Sequence, residues 1–119
     1  MRRILITGGR EWKDKQAIWD ALILHGPGIV VHGACRGADT LADEAAKSLG
    51  LPTEPHPANW YPLGRYDRAA GNKRNAEMVA LGADICLAFP DPTSRGTWNC
   101  VNIAKRAGIE VVVHHQRPK

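Results

Sequence analysis

Arg3-Ile4-Leu5-Ile6-Thr7-Gly8-Gly9 is an apolar, β-branched run that stops at two glycines. Polar and apolar residues do not alternate in it, so it reads as a strand buried on both faces. Lys15–His25 follows with a helical period: Ile18, Leu22 and the Ala17/Ala21 pair recur at three and four. Pro27-Gly28 ends that helix, and Ile29-Val30-Val31-His32 is a second apolar strand, stopped by Gly33. Strand, crossover helix and strand form a unit that places both strands parallel in one covered sheet.

The alternation continues outward from this unit. Ala38–Leu49 carries Leu41, Ala42, Ala45, Ala46 and Leu49 on one helical face, with Gly50 as its stop. Pro52–His56 reads as a third strand that its prolines push to a sheet edge. Residues 57–72 have little periodicity and many turn signals, and long irregular stretches in small domains are often functional. A helix over Lys73–Leu81, a strand over Asp84–Phe89, a loop over Pro90–Arg95, a helix over Gly96–Ala107 and a strand over Ile109–His114 complete the pattern. His115–Lys119 is a polar tail. The predicted fold is α/β: one domain over residues 1–119, a small Rossmann-like three-layer sandwich with about five mostly parallel strands and helices on both faces.

Composition sets the outer bounds. With 44% hydrophobic and 24% charged residues in 119, the chain is an ordinary globular domain, which excludes disorder, collagen and coiled coil. Its apolar runs are too short to span a membrane. No signal peptide precedes the first strand, so a cytoplasmic location (a bacterial host cytosol) is expected. Cys35, Cys86 and Cys100 are odd in number and lack CxxC spacing, which argues against a disulfide framework and a zinc site. No metal and no cofactor are expected, and Cys86, in an apolar run, reads as a small core residue.

The net charge of +4 lies entirely in residues 61–119, with nine Lys/Arg against five Asp/Glu; residues 1–60 hold seven of each. A basic half suits an anion (nucleic acid, nucleotide or phosphate) and equally suits plain solubility. In open parallel sheets, ligands bind beyond the carboxyl ends of the strands, where strand order reverses. Four loops should meet there. They carry Gly8, Gly9, Arg10, Glu11 and Trp12; then His32, Gly33, Arg36, Gly37 and Asp39; then Trp60, Arg65 and Arg68; then Pro90, Asp91, Arg95, Gly96 and Thr97.

Several of these residues admit two readings. Gly8-Gly9 and Gly33/Gly37 let backbone N–H groups approach a ligand, or simply allow tight turns. Gly96-Thr97 opens a helix whose N-terminus can hold a phosphate, or Ser94 or Thr97 caps that helix. Arg65, Arg68, Lys73 and Arg74 stand within ten residues near Trp60 and Tyr66. Arginine forks suit phosphate and aromatics suit a base, while a solvated charge run is the plain alternative. Asp39 is a carboxylate for the rim or a helix cap. Glu77 is a second carboxylate or a partner for Lys73 one turn away. His32 is a proton donor or a buried, satisfied histidine.

Taken in order, the motifs resemble a known family. Gly8-Gly9-Arg10-x-Trp12-x-Asp14, His32-Gly33-x-x-x-Gly37-Ala38-Asp39, Asn59-Trp60, Ala70-Gly71-x-x-Arg74-Asn75-x-x-Met78 and Gly96-Thr97-x-Asn99 are similar to the YspA/YpsA-related branch of the SLOG superfamily, found in bacteria and their phages. Smf/DprA and the Lonely-guy phosphoribohydrolases are related branches. The resemblance covers about residues 3–113 and implies a Rossmann-like domain that binds a nucleotide or nucleotide-derived ligand. Phosphoribohydrolases cleave the N-glycosidic bond of nucleoside phosphates. Arg74 matches their functional arginine, and Gly96-Thr97 match their phosphate-binding turn. Their glutamate after Gly-Thr has no counterpart, because Asn99 and Cys100 stand there, and Pro90-Asp91-Pro92 replaces Pro-Gly-Gly.

The resemblance implies Arg74 as a catalytic residue of a glycosidase, and with the family glutamate missing, Asp39 and Glu77 are the substitute carboxylates at the rim that complete the catalytic set, ahead of Asp91 and Glu11. Gly8, Gly9, Arg10, Trp12, Gly33, Arg36, Gly37, Trp60, Arg68, Asn75, Pro90, Arg95, Gly96, Thr97 and Asn99 would be the ligand-binding set. Three functions compete: hydrolysis of a nucleoside phosphate, non-catalytic sensing or sequestration of a nucleotide signal, and single-stranded DNA binding. A homo-oligomer, most simply a dimer with Trp19 on the first helix as a contact, is also implied; a membrane partner is not.

Overall fold

The computed structural model describes residues 2–115, so the last four positions of the expected polar tail lie outside the described residues. Five strands and four helices alternate along the chain: β1 (Arg3–Gly8), α1 (Lys15–His25), β2 (Ile29–His32), α2 (Ala38–Ser48), β3 (Thr53–Pro55), α3 (Ala70–Ala80), β4 (Ile85–Phe89), α4 (Arg95–Arg106) and β5 (Glu110–Val113). All strand pairs are parallel, in the order β3-β2-β1-β4-β5. The chain winds from β1 to β2 to β3, then returns to lay β4 on the other side of β1. Strand order thus reverses between β1 and β4, and their carboxyl ends open a crevice.

The absence of polar alternation in β1 now has its reason. Ile4 and Ile6 face one core with Ile18 and Leu22 of α1 and Ala42 and Ala46 of α2. Leu5 faces a second core with Met78 and Val79 of α3 and Cys100 and Ala104 of α4. Helices cover both faces, so both faces of each central strand must be apolar. Burying one such side chain contributes about 1.5–3 kcal/mol, which makes β1 and β4 the strongest apolar anchors of the sheet. Cys86 is fully buried, as its apolar surroundings predict. Among the described residues, no helix is long and apolar enough to cross a membrane.

Most boundaries shift by one residue from the sequence reading, and two of the shifts have a visible cause. Helix α3 starts at Ala70, three residues before Lys73. Asp67 is responsible: its carboxylate accepts the N–H of Ala69 at 2.9 Å and its carbonyl accepts that of Ala70 at 3.2 Å, which starts the turn early. Strand β4 starts at Ile85, because Asp84 turns its carboxylate to the N–H of Arg3 at 2.7 Å. Residues 57–69 are irregular apart from a short turn at Pro62–Gly64.

Candidate functional site

The crevice between β1 and β4 widens into a cleft of about 420 Å³. Its walls are the loops after β1, β2, β3 and β4 and the first turns of α3 and α4. The loops are drawn together by Asp91, which follows β4. One of its carboxylate oxygens accepts the N–H of Glu11 at 2.9 Å; the other accepts the N–H of Thr93 at 2.9 Å and the hydroxyl of Ser94 at 2.8 Å. Burial would raise the carboxyl's pKa, but these donors outweigh it and hold the group below its ordinary range.

The glycines serve this convergence. A side chain at Gly9 would run into the Asp91 carboxylate, and one at Gly8 into Ala38 at the start of α2. The N–H of Gly9 already donates to Phe89 at 3.0 Å, so it is not available to a ligand as the sequence reading expected. Gly37, at φ +81°, lets the chain enter α2 against the carbonyl of Gly9, which also accepts the N–H of Ala38 at 3.1 Å.

Arg74 is the one arginine buried among the described residues. Its guanidinium donates to the carbonyls of Gly33 and His56, and its Nε donates to Asn75 at 3.0 Å. Asn75 in turn donates to Gly96 and to Asn99, both at 3.2 Å. This chain of bonds ties α3 to the loops after β2 and β3 and to α4. The Cys35 thiol lies 3.8 Å from two guanidinium nitrogens, at the cleft wall.

Asp39 sits at the second position of α2, 5% exposed, on the cleft floor. Its Oδ2 accepts the N–H groups of Gly33 at 3.1 Å and Cys35 at 3.3 Å, so it organises the loop rather than capping the helix. Its Oδ1 has no partner. Burial raises its pKa, and the Cys35 and Gly33 bonds and the His32 and Arg74 side chains reduce that rise only in part.

The outer wall is aromatic and basic. Trp60 stacks on Tyr66 at 6.1 Å, and the Arg10 guanidinium lies 6.0 Å above the Trp60 ring. Arg10, Arg68 and Arg95 line the cleft, are exposed, and make no ion pair among the described residues. Arg36 also lines it but pairs with Glu11 at 3.0 Å. The first turn of α4, with Gly96 and Thr97 at the cleft, has no side-chain cap. Ser94, expected as a cap, bonds Asp91 instead.

Several expected site residues stand elsewhere. Trp12 is core, 1% exposed, packed edge-on against Phe89 at 5.4 Å with its indole N–H on the Asp14 carbonyl. Gly33, Gly37, Pro90 and Asn99 support the walls without lining the cleft. Glu77 is exposed and outside the cleft, which corrects its place in the catalytic set; α3 turns it to solvent while Arg74 faces inward. Its expected partner Lys73 pairs with Asp67 at 2.6 Å. Arg65 does not reach the cleft. His32 is the satisfied buried histidine: one ring nitrogen bonds Asp43 at 2.8 Å and the other accepts from Ala34 at 3.0 Å. Trp19 is half-buried against the core, and Ile23 and Leu24 are the exposed apolar residues of α1. The sequence reading undervalued Asp91 and Ser94, although Asp91-Pro92-Thr93-Ser94 before a helix is a turn signature that marks them.

Residues 2–61, which carry the glycine turns, Asp39 and Trp60, match the family model described as YAcAr, the YspA, cpYpsA-related SLOG family. The chain belongs to this SLOG family. It is 45% identical over 128 residues to the Gene 61 protein of Mycobacterium phage D29, covering 99% of this chain and all of that one. The SLOG fold is also similar to a solved structure of DNA processing protein A from Helicobacter pylori, a protein with a single-stranded DNA binding mode. That similarity has a TM-score of 0.70 at 18% identity; it covers 98% of this chain, which spans 66% of the solved one. Within the SLOG domain, Gly9, Trp12 and Asp14 of the first motif are structural: loop contact, core and the cap on Ala17 at 3.1 Å.

Proposed function

We propose that the cleft binds a nucleotide or nucleotide-derived ligand. The observation that carries this reading is the set of three arginines without carboxylate partners among the described residues, Arg10, Arg68 and Arg95, in one cleft with the uncapped first turn of α4. Guanidinium groups and helix-end N–H groups are the donors a phosphate needs. The ring of Trp60, half-buried and stacked on the exposed Tyr66, stands beside them and suits a base. A cleft of about 420 Å³ is the size of a small-ligand site. Calorimetry against a panel of nucleoside mono- and diphosphates tests the proposal. Saturable binding that weakens when Arg68 or Arg95 is replaced by alanine is the expected result; no heat with any member rejects it.

Hydrolysis of the N-glycosidic bond is a second reading, favoured by one feature. Asp39 is a buried carboxyl in a residue that lines the cleft. A carboxyl so placed can stabilise an oxocarbenium-like ribosyl centre or protonate the departing base. Release of free base, followed by chromatography and abolished in Asp39→Ala, supports hydrolysis. A ligand recovered intact after saturation assigns the protein to sensing or sequestration. The likeness to DNA processing protein A makes single-stranded DNA a further arm of the same test. Binding of oligonucleotides that outlasts moderate salt and competes with nucleotides would place a strand end in the cleft. A dimer would be proposed through Ile23 and Leu24 of α1, and light scattering on Leu24→Glu tests it.

A further inference from the structure

The loops after β1 and β2 touch each other: Gly37 enters α2 against the carbonyl of Gly9, which accepts the N–H of Ala38 at 3.1 Å. Two hollows stand beside this joint. One is the cleft. The other is an open groove of about 450 Å³ between residues 10–15 and the first turn of α2. Arg10, Glu11 and Arg36 border both, so the groove adjoins the cleft along the ridge that these three form.

The groove is cationic. Arg10, Lys13, Lys15 and Arg36 line it, all exposed, against the single carboxylate of Glu11. Residues 1–60 hold as many acidic as basic residues, so folding makes this local excess. Carboxylates of that half are used elsewhere: Asp14 caps α1, Asp39 holds the loop after β2, Asp43 takes His32 and Lys47, and Glu54 takes Arg3 and His56. The cations left in the groove are lightly committed. Lys13 makes no ion pair among the described residues, and Lys15 stands 3.8 Å from Glu44. Arg36 pairs with Glu11 at 3.0 Å, but both side chains are exposed, and a pair in that setting contributes little. A phosphate arriving at the ridge can therefore draw Arg36 away from Glu11. Leu41, half-buried, adds apolar surface on which a sugar or base can lie.

We propose that cleft and groove together take a ligand of two phosphate-linked nucleotide units, the first in the cleft and the second reaching over Arg10 and Arg36 to Lys13 and Lys15. The inference rests on the nucleotide reading above and names the ligand class of the same site. Lys13 and Lys15 line the groove and not the cleft, so they serve the second unit alone. A dinucleotide joined by pyrophosphate and the end of a single strand present this chemistry alike, and binding measurements separate them.

The test is calorimetry on the full chain at physiological ionic strength, where long-range attraction between exposed charges is screened. The ligands are nucleoside monophosphates, pyrophosphate-linked and phosphodiester-linked dinucleotides built from them, and a short single-stranded oligonucleotide. A two-unit ligand should bind about tenfold more tightly or better than its mononucleotide, as for one added charge-assisted contact. An increment complete in the pyrophosphate-linked dinucleotide assigns a small molecule; an increment that appears with the phosphodiester link and grows in the oligonucleotide assigns a strand. The double variant Lys13→Gln/Lys15→Gln should lose the increment and keep the mononucleotide affinity, which also shows that it is folded. Lys105→Gln/Arg106→Gln makes the same charge change in the last turn of α4, away from the cleft, and should keep both. Two-unit ligands that bind no more tightly than mononucleotides overturn the proposal, and this arm decides alone if a variant fails to fold. An increment that survives in the Lys13/Lys15 variant overturns it too. So does an equal loss in the Lys105/Arg106 variant, because it reports net charge rather than this groove. Absence of binding by every ligand, single or extended, rejects the underlying reading of the cleft, a result distinct from mononucleotide binding without an increment.

Discussion

The carboxylate of Asp91, just past β4, accepts the main-chain N–H of Glu11, 80 positions earlier, at 2.9 Å. This bond spans the point where strand order reverses and sets the distance between the two loops that open the cleft. The same carboxylate also takes the donors of Thr93 and Ser94, so one side chain shapes both walls.

Replacing Asp91 by alanine should therefore destabilise the fold and loosen the cleft together. Donors from Glu11, Thr93 and Ser94 lose their acceptor; the buried Ser94 hydroxyl costs about 1–3 kcal/mol when left unsatisfied, and the partly exposed Glu11 and Thr93 groups cost less because water reaches them. Urea denaturation should show a loss of about 2–4 kcal/mol. A loss within 0.5 kcal/mol, the range of ordinary surface changes, would show that the clamp is dispensable.

Gly9→Ala tests the same convergence from the opposite loop. The added methyl group overlaps the Asp91 carboxylate, so the two loops must separate. Overpacking of this kind typically costs about 1–3 kcal/mol. Ligand affinity should fall with it; for the stability loss alone Gly96→Ala is the control, since a side chain at Gly96 meets open space.

Acid should weaken the β1–β3 side of the sheet through Glu54. Arg3 clasps it with two bonds of 2.9 and 2.8 Å, and His56 adds one at 2.7 Å. Arg3 first, then His56, lower its pKa to about 2. A folded-state pKa below the unfolded one means that the stabilisation is complete above the ordinary Glu range and is lost as pH falls toward 2. Asp91, also held low, adds to the slope in the same direction. Thermal unfolding from pH 7 to 2 should show a shallower acid decline in Glu54→Gln than in wild type; parallel declines would refute the assignment.

Arg74 and Arg68 should separate stability from binding. Arg74→Lys cannot span Gly33, His56 and Asn75 with one ammonium, and a stability loss of about 2–4 kcal/mol is expected. Arg68 is exposed with no carboxylate partner among the described residues, so Arg68→Ala should leave the melting temperature nearly unchanged while reducing nucleotide affinity roughly tenfold or more, as for a charge-assisted bond. Equal behaviour of the two variants would contradict the division of labour between a buried and an exposed arginine.

The order of elements was legible because its causes are local. Apolar runs without alternation, helical spacing and glycine stops mark β1 through β5 and α1 through α4, and local patterns survive translation into three dimensions. The boundary of α3 was less legible, since Asp67 competes as a loop-side acceptor before the periodic run begins. The charge asymmetry along the chain also misleads in part. Lys73 turns to Asp67 and Arg65 stays outside, while Arg10 and Arg36 from the neutral half enter the cleft.

The sequence by itself determined a parallel, doubly covered sheet, the crevice end of that sheet and the loops that meet there. Those follow from periodicity and from the handed connections that parallel strands require. Only the tertiary structure decided what each side chain does at that end. Two arginines with the same chemistry, Arg74 and Arg68, divide into a buried strut and an exposed donor because α3 turns Arg74 toward the carbonyls of Gly33 and His56 while Arg68 stands in the irregular segment before α3, at the mouth. Trp12 became core, Glu77 became surface, and Asp39 kept one oxygen without a partner. Burial and hydrogen-bond completion depend on neighbours far away in the chain, and no local pattern carries them.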